Sequence, residues 1–374
     1  MAAPGIAAVP ISLDEVSPDA DTSDLLAAVI RAHARVSDVI FSPGRTLQVQ
    51  INGALINLEA SGLSPLTADD TRRIASQLIG NNKAAIGMLR EQGYCDVSYA
   101  LPGVARFRVN VFIQRGSCAV VLRVIPTAIP TLKGLGAPDE FEKLLALGPG
   151  LALVTGPRSS GKSSTLAALV NHINESVPCH IITIEDPIEF LHNHKRATVH
   201  QREVHSDTPS MALAVRAALR QAPNIIVIGE LKDRETTELA LEAAETGHLV
   251  LSTLNTLNAP KAVERLLGSF ANGEQANIRE RLVRMLRCIV CQRLIPRTRD
   301  GERVAVFEIV PPHAVLRGAE NPVPGTRTLD EEIERLVRTG VIARETALAH
   351  ALDPASLARA LASSAPDSGK TTPA

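Results

Sequence analysis

From residue 150 to residue 251 the chain alternates short apolar runs with segments of helix length. The apolar runs are Leu151–Val154, Ile181–Ile184, Ile225–Ile228 and Leu249–Leu251. Apolar runs without regular polar alternation are typical of strands that are buried on both faces. The pattern therefore predicts an α/β block built on a largely parallel sheet.

The preceding block, residues 22–125, has a different pattern. Leu25, Leu26, Val29 and Ile30 recur at a helical spacing. Strand-like runs and one capped helix indicate further elements: Val39–Phe41, Leu47–Ile51, Arg106–Phe112, and Asp69–Ile79 with Thr67 as N-cap. This mixture of short strands and helices predicts a small α+β domain.

Composition changes mark the boundaries of these blocks. Residues 1–21 are rich in Ala, Pro and Asp without periodicity, and residues 363–374 are similar, so both ends are predicted to be disordered. Prolines and glycines within residues 126–140 indicate a linker. The second domain, residues 141–362, is predicted to end in short helices: Leu329–Thr339, Arg344–Ala351 and Pro354–Ala362.

Length and composition support two globular domains. A chain of 374 residues is long for one domain. Apolar residues make up 45%, but Trp is absent and there are only seven Phe and two Tyr, so Ala, Val, Leu and Ile must form the interior. Such a composition suits buried strands covered by helices.

Charge and hydropathy limit the kinds of partner that the protein can bind and the cell compartment in which it is expected. A net charge of −1 provides no global field for nucleic acid or an anionic membrane, so no nucleic-acid partner is expected. No apolar stretch approaches the roughly 18–20 residues that span a bilayer, and the first 16 residues lack a signal-peptide pattern. We therefore expect a cytoplasmic protein that reaches a membrane only through partners.

Five cysteines are present, and only Cys288 and Cys291 are closely spaced. A structural zinc ribbon requires a second such pair, and a redox pair requires a thioredoxin-like context. The spacing therefore predicts two ordinary buried thiols.

The segment from Gly156 to Ser163 satisfies the P-loop spacing G-x-x-x-x-G-K-[ST]. It follows an apolar run and precedes the Ala- and Leu-rich segment Ser164–Asn174, which is the strand-loop-helix context that the motif requires. Glycines allow backbone N–H groups to surround phosphates, Lys162 neutralises the terminal phosphates, and Ser163 holds Mg²⁺. The candidate ATP-binding residues are Gly156, Pro157, Arg158, Ser159, Ser160, Gly161, Lys162, Ser163 and Ser164.

Acidic residues at two strand ends narrow the reaction class. Glu185 and Asp186 end one apolar run, and Glu230 follows another. Open α/β sheets place their sites at the carboxyl ends of strands, where a carboxylate can accept a proton from a water that attacks the γ-phosphate. Each acidic end alone would be explained by a helix cap or a turn, but two of them together with a P-loop favour ATP hydrolysis.

The order of these motifs resembles the type IV pilus retraction ATPases, the PilT-like family of the GspE/secretion ATPase superfamily. The resemblance rests on the P-loop followed by the segments Thr183–Phe190, Val227–Asp233 and Ala244–Val250. In the first block, Ser37–Gly44, Arg106–Gly116 and Val121–Pro126 are also similar to family segments. The resemblance covers nearly all of residues 24–355.

The resemblance implies a cytoplasmic hexameric ring that binds ATP and Mg²⁺ and powers pilus retraction and twitching motility. Each subunit would have a smaller N-terminal α+β (PAS-like) domain and a RecA-like P-loop domain. Glu230 would be the catalytic base, with Glu185, Asp186 and Glu189 as the acidic box, His248 in the histidine box, and Arg108 and Arg123 as arginine fingers. An inner-membrane pilus platform protein would be the partner, which places the ring at the cytoplasmic face of that membrane.

Several positions depart from the family pattern. Ser159 replaces a glycine, Asn224 replaces an aspartate, Lys232 replaces an arginine, and Asn255 replaces the second histidine of the histidine box. Serine is strained where φ must be positive, and asparagine cannot carry a proton as histidine does. Weak turnover, or turnover only in a mixed ring with a paralogue, is therefore an open alternative to a homo-hexamer.

Two other functions remain as alternatives. One is a nucleotide-binding accessory subunit that modulates another pilus motor. The other is a pilus assembly or type II secretion ATPase, although members with that task usually carry a four-cysteine zinc module. The retraction-motor segment of the family is matched only loosely, by His313–Glu320.

Overall fold

A six-stranded antiparallel sheet forms from the first block of the sequence. Its strands are β1 Val36–Phe41, β2 Gln48–Ile51, β3 Ala54–Asn57, β4 Tyr94–Leu101, β5 Ala105–Gln114 and β6 Ser117–Ile125. They lie in the order β3-β2-β1-β6-β5-β4. Along β5, Phe107, Val109 and Val111 are buried whereas Arg108 is exposed, so this alternation places one face of the sheet on a core.

Helices α1 Thr22–Ala32, α2 Ala68–Ile79 and α3 Lys83–Gln92 belong to the same block. Leu26 of α1 and Leu78 of α2 join the core of the sheet. The predicted N-cap is confirmed: the Thr67 hydroxyl accepts a hydrogen bond from the Asp70 N–H at 3.1 Å, and the Asp70 carboxylate accepts one from the Thr67 N–H at 2.9 Å. This reciprocal capping fixes the start of α2.

A seven-stranded sheet forms from the second block. Its strands are β7 Gly150–Thr155, β8 His180–Glu185, β9 Thr198–Glu203, β10 Ile225–Ile228, β11 Leu249–Leu254, β12 Leu286–Pro296 and β13 Arg303–Val310. The order is β13-β12-β7-β11-β10-β8-β9, and every pairing is parallel except that of β12 with β13. The four predicted apolar runs form the strands β7, β8, β10 and β11, and the predicted parallel α/β sheet is confirmed.

Helices cover both faces of this sheet. They are α4 Lys162–Ser176, α5 Met211–Ala218, α6 Arg234–Glu245, α7 Ala259–Leu267, α8 Gln275–Met285, α9 Pro312–Leu316, α10 Leu329–Arg338, α11 Arg344–His350 and α12 Pro354–Ser363. Leu166 and Val170 of α4 pack on one face, and Leu239 of α6 with Leu282 of α8 packs on the other. Helices α10–α12 confirm the short C-terminal helices predicted from the sequence.

Cys288 and Cys291 are buried free thiols on β12, as predicted. They lie in hydrophobic clusters on opposite faces of the sheet, because three residues along a strand reverse the side-chain direction. Burial raises the pKa of Cys288 to about 12.

The structure is a computed structural model that describes residues 21–33, 35–51, 54–58, 64–125, 128–141, 148–298, 302–316 and 327–363. Apart from residues 21 and 363, the terminal segments predicted to be disordered lie outside this range. The chain divides into a first unit, up to residue 128 with Glu189–Leu191 and His205–Asp207, and a second unit with the rest. Within the described residues, no helix combines the length and apolar character that a bilayer crossing requires.

Candidate nucleotide-binding site

The P-loop joins the end of β7 at Thr155 to the start of α4 at Lys162, so the strand-loop-helix context predicted from the sequence is present. Its backbone is left-handed at two residues, with φ of 87° at Gly161 and 61° at Ser159. Glycine adopts this conformation freely, whereas a residue with a Cβ loses about 1 kcal/mol there. Position 159 therefore requires positive φ, and the strain expected for Ser159 is present.

Two glycines allow close packing between the P-loop and strand β12. A Cβ on Gly156 would lie 2.4 Å from the backbone oxygen of Gln292, and one on Gly161 would lie 2.9 Å from the Gln292 Nε2. Real Cβ atoms do not approach a backbone oxygen so closely, so the loop requires glycine at position 156 to rest on β12. At position 161 the Gln292 side chain could move, and the positive φ is the stronger reason for glycine. The closeness is local, since a Cβ on Gly273 would meet nothing within 4 Å.

Lys162 is buried in the P-loop with 9% of its surface exposed. Its Nζ donates hydrogen bonds to the carbonyl oxygens of Gly156, at 2.9 Å, and Pro157, at 2.8 Å. A buried ammonium is stable only when hydrogen-bonded or paired with an anion. The lysine therefore holds the loop curved and places a positive charge inside it.

The P-loop fits the phosphate groups of a nucleotide. Besides the charge of Lys162, it has the N-terminus of α4, where N–H groups and the helix dipole favour anions. Ser163 and Ser164 are half-buried in the first turn of α4, and Pro157 is also half-buried, whereas Arg158 is exposed. The Ser160 Oγ is buried without a hydrogen-bond partner, which is the kind of orphaned polar atom that a ligand-induced rearrangement can satisfy.

The carboxyl ends of β8 and β10 lie side by side near Gly229. A Cβ on Gly229 would lie 3.5 Å from the Glu185 Cα, an ordinary van der Waals distance, which places Gly229 directly beside the end of β8. Glu185 accepts hydrogen bonds from the Thr183 Oγ1 at 2.6 Å and the Gln201 Nε2 at 3.1 Å. The strand end that carries Glu185 is therefore adjacent to the one that precedes Glu230.

Asp186, the next acidic residue, pairs with Lys232. The Lys232 Nζ donates to the Asp186 Oδ2 at 3.1 Å, and both side chains are more than a third exposed. Exposed pairs of this kind contribute about 0–1 kcal/mol. Lys232 thus supplies the positive charge that the family pattern places on arginine, but without the planar geometry of a guanidinium.

Glu230 contacts the residue that replaces the second histidine of the family pattern. The Asn255 Nδ2 donates to the Glu230 Oε1 at 2.5 Å. Because asparagine is neutral, this contact orients the carboxylate without neutralising its charge. Asn255 therefore keeps the hydrogen bond that a histidine could form there, but not its proton transfer.

A hydroxyl pair ties the P-loop strand to the segment that carries Asn255. The Thr155 Oγ1 lies 2.5 Å from the Thr256 Oγ1 and donates to the Thr256 carbonyl oxygen at 3.0 Å. Thr155 is fully buried, so these contacts are shielded from water. The ends of β7 and β11 are thus fixed relative to each other at the edge where the P-loop begins.

His248 lies at the opposite edge of the sheet from the P-loop. It immediately precedes β11, its carbonyl accepts from the Gly150 N–H at 3.0 Å, and its Nδ1 lies 2.9 Å from the Ala243 carbonyl oxygen. Because β7 and β11 run parallel over six residue pairs, it is about 15–20 Å from the P-loop end. The chain therefore does not bring His248 to its own P-loop.

Glu189 is exposed and belongs to the first unit, whereas Glu185 and Asp186 belong to the second. The three members of the predicted acidic box therefore do not form one cluster within a single unit. Within the second unit, Glu185 and Asp186 lie at the strand edge next to Glu230.

Arg108 and Arg123 face each other across β5 and β6 in the first unit. The Arg123 Nε donates to the Asp38 Oδ1 at 2.9 Å, and the Arg108 Nε lies 3.9 Å from the Asp96 Oδ1. The side chain of Arg108 is 53% exposed and that of Arg123 is 72% exposed. Two directly opposed guanidinium groups repel each other, and the two aspartates offset this repulsion while leaving an exposed cationic pair.

Asn224 has a structural role at the start of β10. Its Oδ1 accepts from the His180 N–H at 2.8 Å, and its backbone joins the starts of β8 and β11. These are the amino ends of the strands, the edge opposite to the P-loop. The replacement of aspartate at this position therefore does not act directly on the nucleotide-binding end.

The sequence analysis missed Gln292, Thr155 and Thr256. Gln292 and Arg293 interrupt the apolar residues of β12, and Gln292 is only 1% exposed, so this polar pair inside a strand was a usable signal. The two threonines gave no such signal, because they contact each other only after β7 and β11 pair.

Comparisons with known proteins show which family the chain belongs to. The family model described as type II/IV secretion system protein matches residues 96–336. A twitching motility protein of Neisseria gonorrhoeae is 39% identical over 317 residues, which cover 81% of this chain and 83% of that protein. The type IV pilus retraction ATPase PilT of Pseudomonas aeruginosa is 38% identical over 341 residues, covering 87% of this chain and 97% of that one.

A solved structure is similar over most of the chain. It is the crystal structure of a pilus retraction motor, PilT, with bound ADP, and it superposes with a TM-score of 0.82. The sequences are 36% identical, and the alignment covers 91% of this chain and 100% of that one.

Proposed function

The chain belongs to the type II/IV secretion system protein family, and on that premise we propose that it is an ATPase that powers the retraction of type IV pili. The structural match confirms the predicted fold class, a RecA-like P-loop domain with a smaller N-terminal α+β (PAS-like) domain. Pilus retraction and twitching motility are the activities in the names of the two relatives compared above.

The observation that carries the proposal is the buried Lys162 inside a glycine-lined loop at the same sheet edge as Glu230. Lys162 would exchange its two carbonyl partners for the β- and γ-phosphate oxygens of ATP. Ser163 would hold Mg²⁺, which supplies charge neutralisation on the phosphates. Binding of ADP by the similar retraction motor supports nucleotide as the ligand.

Glu230 is the residue that we assign as catalytic base. Asn255 holds one of its carboxylate oxygens, and we assign the other to the attacking water, from which it accepts a proton. Glu185 lies on the adjacent strand end, where its carboxylate accepts hydrogen bonds from Thr183 and Gln201. We assign it to fixing the geometry of the same sheet edge. We assign the base to Glu230 because it contacts Asn255, and the neighbouring Thr256 is bound by Thr155 at the start of the P-loop.

Arg108 and Arg123 are assigned to stabilise the charge that develops on the transferring phosphoryl group within a hexameric ring. The exposed placement of Arg108 supports its assignment, because its partner Asp96 lies at the surface and such a pair releases arginine at little cost. Arg123 is also exposed, but its partner Asp38 is buried, so its release would cost more. The ring would act on an inner-membrane pilus platform protein from the cytoplasmic side. We propose a homo-hexamer or a mixed ring with a paralogue.

Deletion of the gene in a piliated host tests the direction of the motor. Retraction predicts that pili remain on the surface while twitching motility is lost, and that the wild-type gene restores motility. Loss of surface pili would instead indicate an assembly ATPase. Unchanged motility and piliation would contradict a role in either process.

A nucleotide-binding accessory subunit is the second candidate, favoured by the strained Ser159 and by the neutral Asn255. Complementation with Glu230→Gln separates the two functions. A motor requires hydrolysis, so this variant should not restore twitching motility. An accessory subunit that only binds nucleotide would be replaced by it.

A further inference from the structure

Gln292 touches the P-loop at both of its glycines. It lies on β12, next to the residue pair Cys291–Thr155 that aligns β12 with β7. Its backbone oxygen lies beneath Gly156 and its Nε2 beneath Gly161. The preceding inward residues on this face of β12, Cys288 and Val290, pack in an apolar cluster, so a polar side chain here requires a reason.

Two buried polar atoms beside the loop have no hydrogen-bond partner. They are the Gln292 Oε1, on a residue 1% exposed, and the Ser160 Oγ, on a residue 3% exposed. The Ser160 Oγ lies 2.4 Å from the position of a Cβ on Gly156, and the Gln292 side chain lies against Gly161, the residue that follows Ser160, so both side chains pack against the P-loop. One atom is an acceptor and the other belongs to a hydroxyl donor, and each unmatched buried group lowers stability.

The backbone of the loop shows how these atoms would pair. The Ser160 N–H reaches the Pro157 carbonyl oxygen only at 3.4 Å, and Lys162 holds the carbonyls of Gly156 and Pro157. Phosphate oxygens attract both the Lys162 ammonium and the loop N–H groups. Their binding would release the two carbonyls and allow the loop to shift around Ser160.

We propose that Gln292 is a positioning residue that fixes the nucleotide-bound P-loop by accepting a hydrogen bond from the Ser160 hydroxyl at its Oε1. The side chain of Ser160 then faces β12 while its backbone N–H faces the phosphates. Gln292 touches no phosphate and acts only through the loop. The inference rests on the proposed function in that it presumes nucleotide binding at this loop.

A double-mutant cycle with Ser160→Ala and Gln292→Met tests the pairing in the full chain. The affinity for Mg-ADP is measured with a fluorescent ADP analogue and by displacement with unlabelled ADP. Each single variant should bind about tenfold more weakly, because one hydrogen bond of the bound state is lost. The double variant should also lose about tenfold, since the second change removes a partner that is already gone.

Thermal unfolding without nucleotide provides the readout that separates positioning from a structural role. Both variants remove an unmatched buried group, so their melting temperatures should equal or exceed that of the wild type. Thr165→Val is the matched control, because the Thr165 Oγ1 is another buried hydroxyl without a partner, in α4. Its affinity for Mg-ADP should stay within twofold of wild type.

Three outcomes would overturn the inference. The first is affinity within twofold of wild type for Ser160→Ala, which is the variant least able to disturb the fold. The second is a hundredfold loss in the double variant, which would make the two losses independent. The third is a wild-type chain that binds no nucleotide, and only this outcome would also remove the proposed function.

Discussion

Substitution of Gly156 by alanine isolates the contribution of P-loop geometry. The backbone at Gly156 is outside the left-handed region, so the new methyl group adds no conformational strain. It would lie 2.4 Å from the Gln292 backbone oxygen and 2.4 Å from the Ser160 Oγ. The serine side chain can rotate away, but the Gln292 carbonyl belongs to a strand that pairs with neighbours on both sides.

The loop must therefore move by about 1 Å to restore an ordinary carbon–oxygen contact. Displacement of binding groups by about 1 Å costs about 10²-fold in function. We expect the dissociation constant for Mg-ADP to rise about a hundredfold, with a stability loss of about 1–3 kcal/mol from overpacking. Fluorescent-nucleotide titration and chemical denaturation measure the two effects separately.

Gly273→Ala is the matched control for this prediction. It makes the same chemical change in the second unit, but its Cβ would meet nothing within 4 Å. Its nucleotide affinity should equal that of the wild type. If Gly156→Ala also bound Mg-ADP within threefold of wild type, the close packing of the loop on β12 would have no role in binding.

Three further predictions concern stability and reactivity. Gly87→Ala, in open space inside α3, should raise the free energy of unfolding by about 0.5–1 kcal/mol in chemical denaturation; a loss would contradict the helix assignment. The bidentate hydrogen bond from Arg281 lowers the pKa of Glu245 in the folded chain. The pair therefore stabilises the fold at pH values above the pKa of Glu245 in the unfolded chain, and this stabilisation is lost as pH falls through the lower pKa of the folded chain. Arg281→Met should therefore cost about 1.5–3 kcal/mol at pH 7 and less below about pH 4, and a pH-independent cost would refute the coupling. Because burial raises the pKa values of Cys288 and Cys291, iodoacetamide followed by mass spectrometry should modify them only in unfolded protein, and rapid native labelling would contradict their burial.

The buried strands were predictable because their chemistry is local. Runs such as Ile225–Ile228 are apolar throughout, and in the structure all four of those residues are buried. The same holds for the start of α2, where the Thr67 cap is encoded within three residues. The P-loop was also recognisable, since its glycines and Lys162 are contiguous.

Other features depend on contacts between distant segments. Strand β9 lies at one edge of the sheet and pairs parallel with β8. Apart from Val199 its residues are polar, so its sequence is typical of a surface segment. The distance between His248 and the P-loop follows from the direction of β11, which a motif pattern does not contain. The Thr155–Thr256 hydroxyl pair likewise exists only because β7 and β11 are adjacent.

Departures from the family pattern had different consequences once they were placed in the fold. Ser159 lies in the P-loop with positive φ, so its effect is on the geometry of binding. Asn255 contacts Glu230, so its effect is on the base. Asn224 lies at the opposite sheet edge and links strands, so its effect is structural. The sequence alone did not distinguish the effects of these three substitutions, which differ because of where each residue lies in the fold.

Hydrolysis of saturating Mg-ATP by the purified chain and by Glu230→Gln tests the central claim most directly. The account predicts turnover by the wild type and a loss of about 10²–10⁴-fold in Glu230→Gln, because an amide cannot accept the proton of the attacking water. Affinity for Mg-ADP should be similar in both, since Glu230 is not part of the P-loop. Absence of turnover in a wild type that binds nucleotide, or equal turnover in the two proteins, would contradict the assignment of Glu230 as the base of an ATP-driven motor.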